Sequence, residues 1–267
     1  MQHFTPHPYQ QAAIDAIIDK PSVGLWMEMG LGKTVVTLTA IDTLIYDAAE
    51  IQRVLVVAPK KVAEATWQDE AQKWDHLQHL RISTVLGTEA QRIAALNTPA
   101  DVYIINRENC YWLVGHYGRH WPFDMVVLDE ASSFKNHAAQ RFKALKAVRP
   151  KIAKVVELTG TPAPNNLLDL WAQIYLLDQG ERLGKYVTHY RQAYFWPTEY
   201  SWEAKDGAGD AIRRKISDLV LSFKAADLLE LPEKIVEDVP VVLDAKAAAA
   251  YKTMEKKLSL IHISEPT

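Results

Sequence analysis

The sequence predicts an α/β fold, a mostly parallel sheet with helices on both faces and a helical protrusion beyond it. Three observations carry this. Short β-branched runs alternate with longer helical patterns up to Gln179. Runs such as Val54-Leu55-Val56-Val57 and Met125-Val126-Val127-Leu128 are apolar throughout, as strands covered on both faces must be. A glycine-rich segment, Met27-Glu28-Met29-Gly30-Leu31-Gly32-Lys33-Thr34, stands between a short apolar strand and a helical run, so a helix begins just past a strand end.

Taken in order, strands are expected at Gly24–Met29, Arg53–Pro59, Arg81–Leu86, Asp101–Asn106, Asp124–Asp129 and Lys154–Thr159. Helices are expected between them at Thr34–Tyr46, Val62–Trp74, Glu89–Leu96, Cys110–Tyr117 and Asn136–Ala147. Gly30, Pro59, Asp129 and Gly160 then fall at the carboxyl ends of strands, the edge where such sheets bind ligands. Past Gln179, Glu181 to Leu231 is rich in aromatic and basic residues and reads as a helical appendage. Lys234–Leu243 reads as a strand and Ala245–Lys257 as a helix. The expected division is a sheet domain over 1–178, the protrusion over 179–234, and a return strand with the start of a linker over 235–257. Residues 258–267 lack periodicity and resemble the translation of a transposase adapter from sequencing libraries, so the natural sequence is expected to stop near Lys257.

At 267 residues and 48% hydrophobic, the chain can bury one sizeable core. A net charge of -3 leaves nucleic-acid binding open, since a local basic patch can sit in a neutral chain. One cysteine, Cys110, excludes an internal disulfide framework and a cysteine-cluster zinc site. No apolar run approaches ~18 residues and no basic apolar leader opens the chain, so no membrane span and a cytoplasmic location are expected.

The chemistry concentrates in three segments. In Gly30-Leu31-Gly32-Lys33-Thr34, backbone N–H groups can face a phosphate, Lys33 can reach β/γ oxygens, and the Thr34 hydroxyl can hold Mg²⁺. The strict phosphate-loop pattern asks for glycine where Met27 stands, so the match needs support elsewhere. Asp129-Glu130, closing an apolar strand, supplies it. Asp129 can hold the water shell of Mg²⁺, while Glu130 can orient and deprotonate an attacking water. Leu158-Thr159-Gly160-Thr161-Pro162 closes another strand with two short hydroxyls able to relay phosphate state.

In combination these segments resemble the first RecA-like lobe of superfamily 2 helicases, and within them the Swi2/Snf2 group of DNA-dependent translocases in its bacterial and phage forms. Pro8-Tyr9-Gln10 resembles the adenine-recognising element, which implies Gln10 on the base and Tyr9 packed nearby. Met29 to Thr34 resembles motif I, and Val56-Val57-Ala58-Pro59 with Trp67 and Trp74 resembles motif Ia. The latter implies nucleic-acid backbone contact near Pro59, Lys60 and Lys61. Asn106-Arg107 stands where the family has its next DNA-contacting pair. Asp129-Glu130-Ala131-Ser132 matches motif II, with serine where most relatives have histidine. Thr159-Gly160-Thr161, with Asn165 and Leu170-Trp171, resembles motif III and its Snf2-type extension, and Arg213-Arg214 falls in the protrusion.

The resemblance implies ATP and Mg²⁺ as ligands, double-stranded DNA as partner, and a second RecA-like lobe that supplies an arginine finger and that this sequence does not contain. It implies weak or absent turnover by this lobe alone. A strand-separating helicase or restriction-complex motor, and a nucleotide-gated DNA-binding module without turnover, are the competing readings. Among weaker signals, Arg213-Arg214-Lys215 reads equally as a DNA track and as a solvated helix face. His116 and His120 read as a surface loop, and Trp26 as a buried strand residue.

Overall fold

All six expected strands form: β1 (Ser22–Met27), β2 (Val54–Ala58), β3 (Ile82–Val85), β4 (Val102–Asn106), β5 (Met125–Asp129) and β6 (Lys154–Thr159). This computed structural model describes residues 2–160, 167–199, 201–228, 247–249 and 251–255. The chain divides into two units, Met1–Leu229 and Glu230–Thr267. In the second, the described residues 247–249 and 251–255 are helical, and the strand expected at 234–243 lies outside the described residues.

In the first unit the helices are α1 (Pro8–Asp19), α2 (Lys33–Asp42), α3 (Trp67–Lys73), α4 (Glu89–Asn97), α5 (Cys110–Tyr117), α6 (Gln140–Val148), α7 (Leu170–Asp178), α8 (Val187–Tyr194) and α9 (Ala208–Ile216). A seventh strand, β9 (Val220–Phe223), extends the sheet beside β1, which gives the order β3-β4-β2-β5-β6-β1-β9 with every paired neighbour parallel. The period of two sorts the core. Leu55 and Val57 face one apolar layer with α5, α6 and α7, while Val54, Val56 and Ala58 face the other with α1, α2 and α3. Gly24 permits the close approach of α7 to β1, since a Cβ there would sit 3.4 Å from Leu177 and 3.3 Å from Val220.

Four expectations need correction. The appendage over 181–231 is not all helical: β7 (Phe195–Pro197) and β8 (Trp202–Ala204) form an antiparallel hairpin, and β9 belongs to the main sheet. Its apolar content, Leu219 to Phe223, is too short to separate strand from helix by periodicity. The helix expected from Asn136 starts at Gln140, because the Asn136 side chain accepts a bond from the Ala138 N–H and holds a turn there. Trp26 is only half-buried, since it alternates to the face opposite Leu25 and Met27. His116 lies within α5, stacked on Trp112, rather than in a loop. Cys110 is fully buried, which pushes its thiol pKa up to about 12. Among the described residues no helix is long and apolar enough to cross a membrane.

Candidate functional site

Parallel pairing brings the carboxyl ends of β1, β6 and β5 side by side, with β6 between the other two. The glycine-rich loop after β1, Thr159-Gly160 at the end of β6, and Asp129-Glu130 at the end of β5 therefore share one edge.

The loop turns on Gly30 and Gly32, at φ +86° and +81°, where an L side chain is strained. Met27 is a fully buried strand residue, so the position that lacks the pattern's glycine lies ahead of the turn. Lys33 opens α2, whose first N–H groups have no intrahelical acceptor and whose first residues, Lys33, Thr34 and Val35, line the cavity beside the loop. The Lys33 ammonium donates to the carbonyls of Met27 at 2.9 Å and Glu28 at 3.3 Å. Burial pushes its pKa down, while the Asp129 and Glu130 carboxylates oppose that. Thr34 follows in the first turn and lines the cavity.

Asp129 accepts a bond at Oδ2 from the Trp67 indole at 2.9 Å. Its burial pushes the carboxyl pKa up, with the Trp67 bond and Lys33 pulling the other way. Glu130 sits at φ +59°, a left-handed conformation for a non-glycine residue, and its Oε1 accepts a 2.6 Å bond from the Ser132 hydroxyl. The serine that replaces the usual histidine thus touches the expected base directly. Gly160 packs against the lysine, because a Cβ there would lie 3.6 Å from Lys33 Nζ. Thr159 is buried, and Thr161 lies outside the described residues, as does Asn165.

A cavity of about 590 Å³ runs from the loop past Gln10 to an aromatic wall of Phe4 and Trp74. The Gln10 side chain bridges its surroundings: Oε1 accepts from the His7 N–H at 2.9 Å and Nε2 donates to the Leu31 carbonyl at 3.2 Å. It braces the loop as well as lining the cavity. Tyr9 packs instead on His7 and Phe223, outside the lining. Phe4 was not singled out from the sequence, yet it meets Trp74 edge-on at 5.2 Å and stacks on His76 at 5.5 Å, forming an aromatic flank of the cavity. The available signal was its place just ahead of Pro8-Tyr9-Gln10.

The oxygen donors suit magnesium. Thr34 offers a hydroxyl and Asp129 a carboxylate, and Mg²⁺ is usually held by one or two such groups plus substrate phosphates. The remaining expected residues stand apart. Lys60 and Lys61 follow Pro59 at the same edge and are exposed, with Lys60 3.9 Å from Glu64. Asn106 is buried and tied to Glu108 and Asn109 at 2.9 and 2.6 Å. Arg213 and Arg214 lie exposed in the last turns of α9, which runs into the start of β9, the end of the sheet opposite the loop.

The sequence pattern of the SNF2-related domain matches residues 19–266. Protein p41 of Acyrthosiphon pisum secondary endosymbiont phage 1 is 40% identical over 272 residues, covering 97% of this chain and 59% of that protein. An uncharacterized ATP-dependent helicase of Mycoplasma genitalium is 27% identical over 225 residues, covering 84% of this chain and 21% of the relative. The solved Sulfolobus solfataricus SWI2/SNF2 ATPase core in complex with dsDNA superposes with a TM-score of 0.68 at 25% identity, over 100% of this chain and 57% of that one. The chain thus spans little more than half the length of the first and last of these. With its RecA-like sheet and its lysine and acidic pair on one edge, the chain belongs to the SNF2-related domain family.

Proposed function

We propose that this chain is the ATP-binding lobe of a DNA-dependent ATPase that drives movement along duplex DNA when a second RecA-like lobe closes on it. One observation carries the reading: the loop that holds Lys33 follows β1 and the Asp129-Glu130 pair ends β5 on the same sheet edge, with Gly160, just past β6 between them, packed near the Lys33 ammonium. In this reading Lys33 exchanges the Met27 and Glu28 carbonyls for β/γ-phosphate oxygens, and the first-turn amides of α2 receive the same phosphates. Thr34 and Asp129 would hold magnesium, which would supply charge neutralisation to the phosphates. Glu130 orients a water whose oxygen bonds to the γ-phosphorus. The β,γ-bridging P–O bond breaks, its electron pair leaves on ADP, and the water proton passes to Glu130. Phe4, Trp74 and Gln10 receive the base.

No arginine lines the cavity among the described residues. In this reading the second lobe supplies the transition-state cation, and turnover by this lobe alone is weak. Duplex DNA as partner is supported by the solved Sulfolobus core, which was captured in complex with dsDNA. The exposed Lys60-Lys61, past the end of β2 on the same sheet edge, would meet its phosphates.

Binding of a fluorescent ATP analogue, with and without duplex DNA, tests the reading. Lys33→Ala should weaken nucleotide binding at least about tenfold. Glu130→Gln should keep binding within about threefold and abolish DNA-stimulated hydrolysis in a chain that includes both lobes. A Glu130→Gln protein that hydrolyses ATP normally would overturn the assignment. A wild-type two-lobed chain that binds ATP and DNA without turnover would favour the nucleotide-gated module instead.

A further inference from the structure

The Trp67 ring is completely buried at the start of α3, within the apolar layer that α1 and α2 share with the sheet. Phenylalanine or leucine could fill such a space without a polar atom. Tryptophan brings an N–H that usually finds an acceptor when buried. Trp171, buried against the other face, meets that need with the backbone carbonyl of Gly184 at 2.9 Å. Trp67 instead donates to Asp129 Oδ2 at 2.9 Å, one of two oxygens on the carboxylate that the proposed function places on magnesium.

One π-helical turn, Val62–Thr66, separates Pro59-Lys60-Lys61 from α3. Its extra residue per turn resets the helical phase immediately ahead of Trp67, a device found at functional positions. The ring thus approaches the end of β5 from the end of the neighbouring strand β2. The other charged groups facing Asp129 are Lys33, from the start of α2, and Glu130, its chain neighbour.

We infer that Trp67 is a positioning residue for the magnesium site: its indole N–H holds Asp129 Oδ2 and so fixes the carboxylate plane, leaving Oδ1 for the metal's water shell. An indole suits the task. It is neutral, it donates without accepting, so it does not compete for the metal, and its ring is immobilised by packing. Outer partners of this kind set ligand orientation, and their loss commonly lowers metal affinity by 10–100-fold. The inference rests on the nucleotide reading above.

Two variants of the whole chain test it. Incorporation of 3-benzothienylalanine at position 67 replaces the N–H by sulfur in a ring of nearly equal size, and Trp67→Phe removes the donor with part of the ring. The readouts are the affinity for a fluorescent ATP analogue without divalent metal, and the magnesium concentration that gives half of the metal-dependent gain. For both variants the magnesium midpoint should rise about tenfold or more, with metal-free affinity within about twofold of the wild type. An unchanged magnesium midpoint in the benzothienyl protein would overturn the role. So would an equal fall in metal-free affinity, because a ring that merely supports the fold would affect both. Should Trp67→Phe fail to fold, the benzothienyl protein alone decides. Failure of the wild-type chain to bind the analogue at all would count against the nucleotide reading and not against this contact specifically.

Discussion

Two cavities of nearly equal size open at opposite ends of the same sheet, about 590 Å³ beside the glycine-rich loop and about 580 Å³ beside the amino ends of β1 and β6. Volume does not distinguish them, but their wiring does. At the second, Arg149 is buried and donates to the carbonyls of Leu176, Leu177 and Ile152 and to Ser22 Oγ. Arg182 is paired with Asp218 at 2.6 Å and Asp178 at 3.5 Å. The charge there is committed to holding α7 and the β9 entry against the sheet. At the first, Lys33 rests on the carbonyls of Met27 and Glu28, which a phosphate can replace, and the first turn of α2 lines the space. A binding site is marked by polar groups whose present partners are exchangeable.

The largest expected effect breaks the structural end. Arg149→Met removes donors from three backbone carbonyls and one hydroxyl inside the fold, and should lower stability by about 3–5 kcal/mol in urea unfolding. Nucleotide affinity of the protein that remains folded should stay within about twofold. If Lys33→Ala destabilises the fold more than Arg149→Met does, the contrast between the two ends is wrong.

Glu157 sharpens the same contrast through pH. It sits on β6, 1% exposed, and its Oε1 has no hydrogen-bond partner. Burial raises its pKa well above the usual carboxyl value, with Arg149 opposing. A carboxyl whose folded pKa exceeds its unfolded one binds its proton more tightly when folded. Its favourable contribution is complete below about pH 4, the unfolded range, and is lost as pH rises through the folded pKa. Glu157→Gln does not titrate. Its stability relative to the wild type should therefore improve as pH rises above about 4 and level off once pH passes the folded pKa, as read by urea midpoints. A difference independent of pH would show that Glu157 is not held protonated.

How much of this was legible in sequence follows from what each signal encodes. Strands buried on both faces announce themselves as unbroken apolar runs, so β2, β4, β5 and β6 were readable within a residue or two. The edge strand β9, with Ser222 exposed and only four residues, carried no such run. Lys33, Thr34, Asp129 and Glu130 could be proposed from sequence because phosphate chemistry fixes residue type and order. The contacts that complete the site were not. Trp67 to Asp129 spans 62 residues, and Phe4 to Trp74 is a meeting of distant segments. Ser132 was noticed only as a departure from the family pattern, whereas its bond to Glu130 depends on the left-handed turn at Glu130, which residue type did not announce.

The smallest expected effect comes from a charged residue at the loop that faces away from the cavity. Glu28 accepts at Oε2 from the Ala225 N–H at 2.8 Å, at the start of the short helix α10 (Ala225–Leu228), and its own N–H donates to the Phe223 carbonyl at 3.3 Å. By the rule of exchangeable partners it should behave like the opposite end of the sheet despite its address. Glu28→Ala should cost about 0.5–1.5 kcal/mol, the range of one side-chain bond to a helix-start amide. Hydrogen exchange at the Ala225 amide should quicken by up to about tenfold. Glu28→Gln, which keeps an acceptor oxygen, should restore most of that protection, and both variants should bind the ATP analogue within about twofold of wild type. A nucleotide-affinity loss in Glu28→Ala comparable to that of Lys33→Ala would mean that every charge on this loop serves the ligand, and that wiring does not separate the two kinds of polar group.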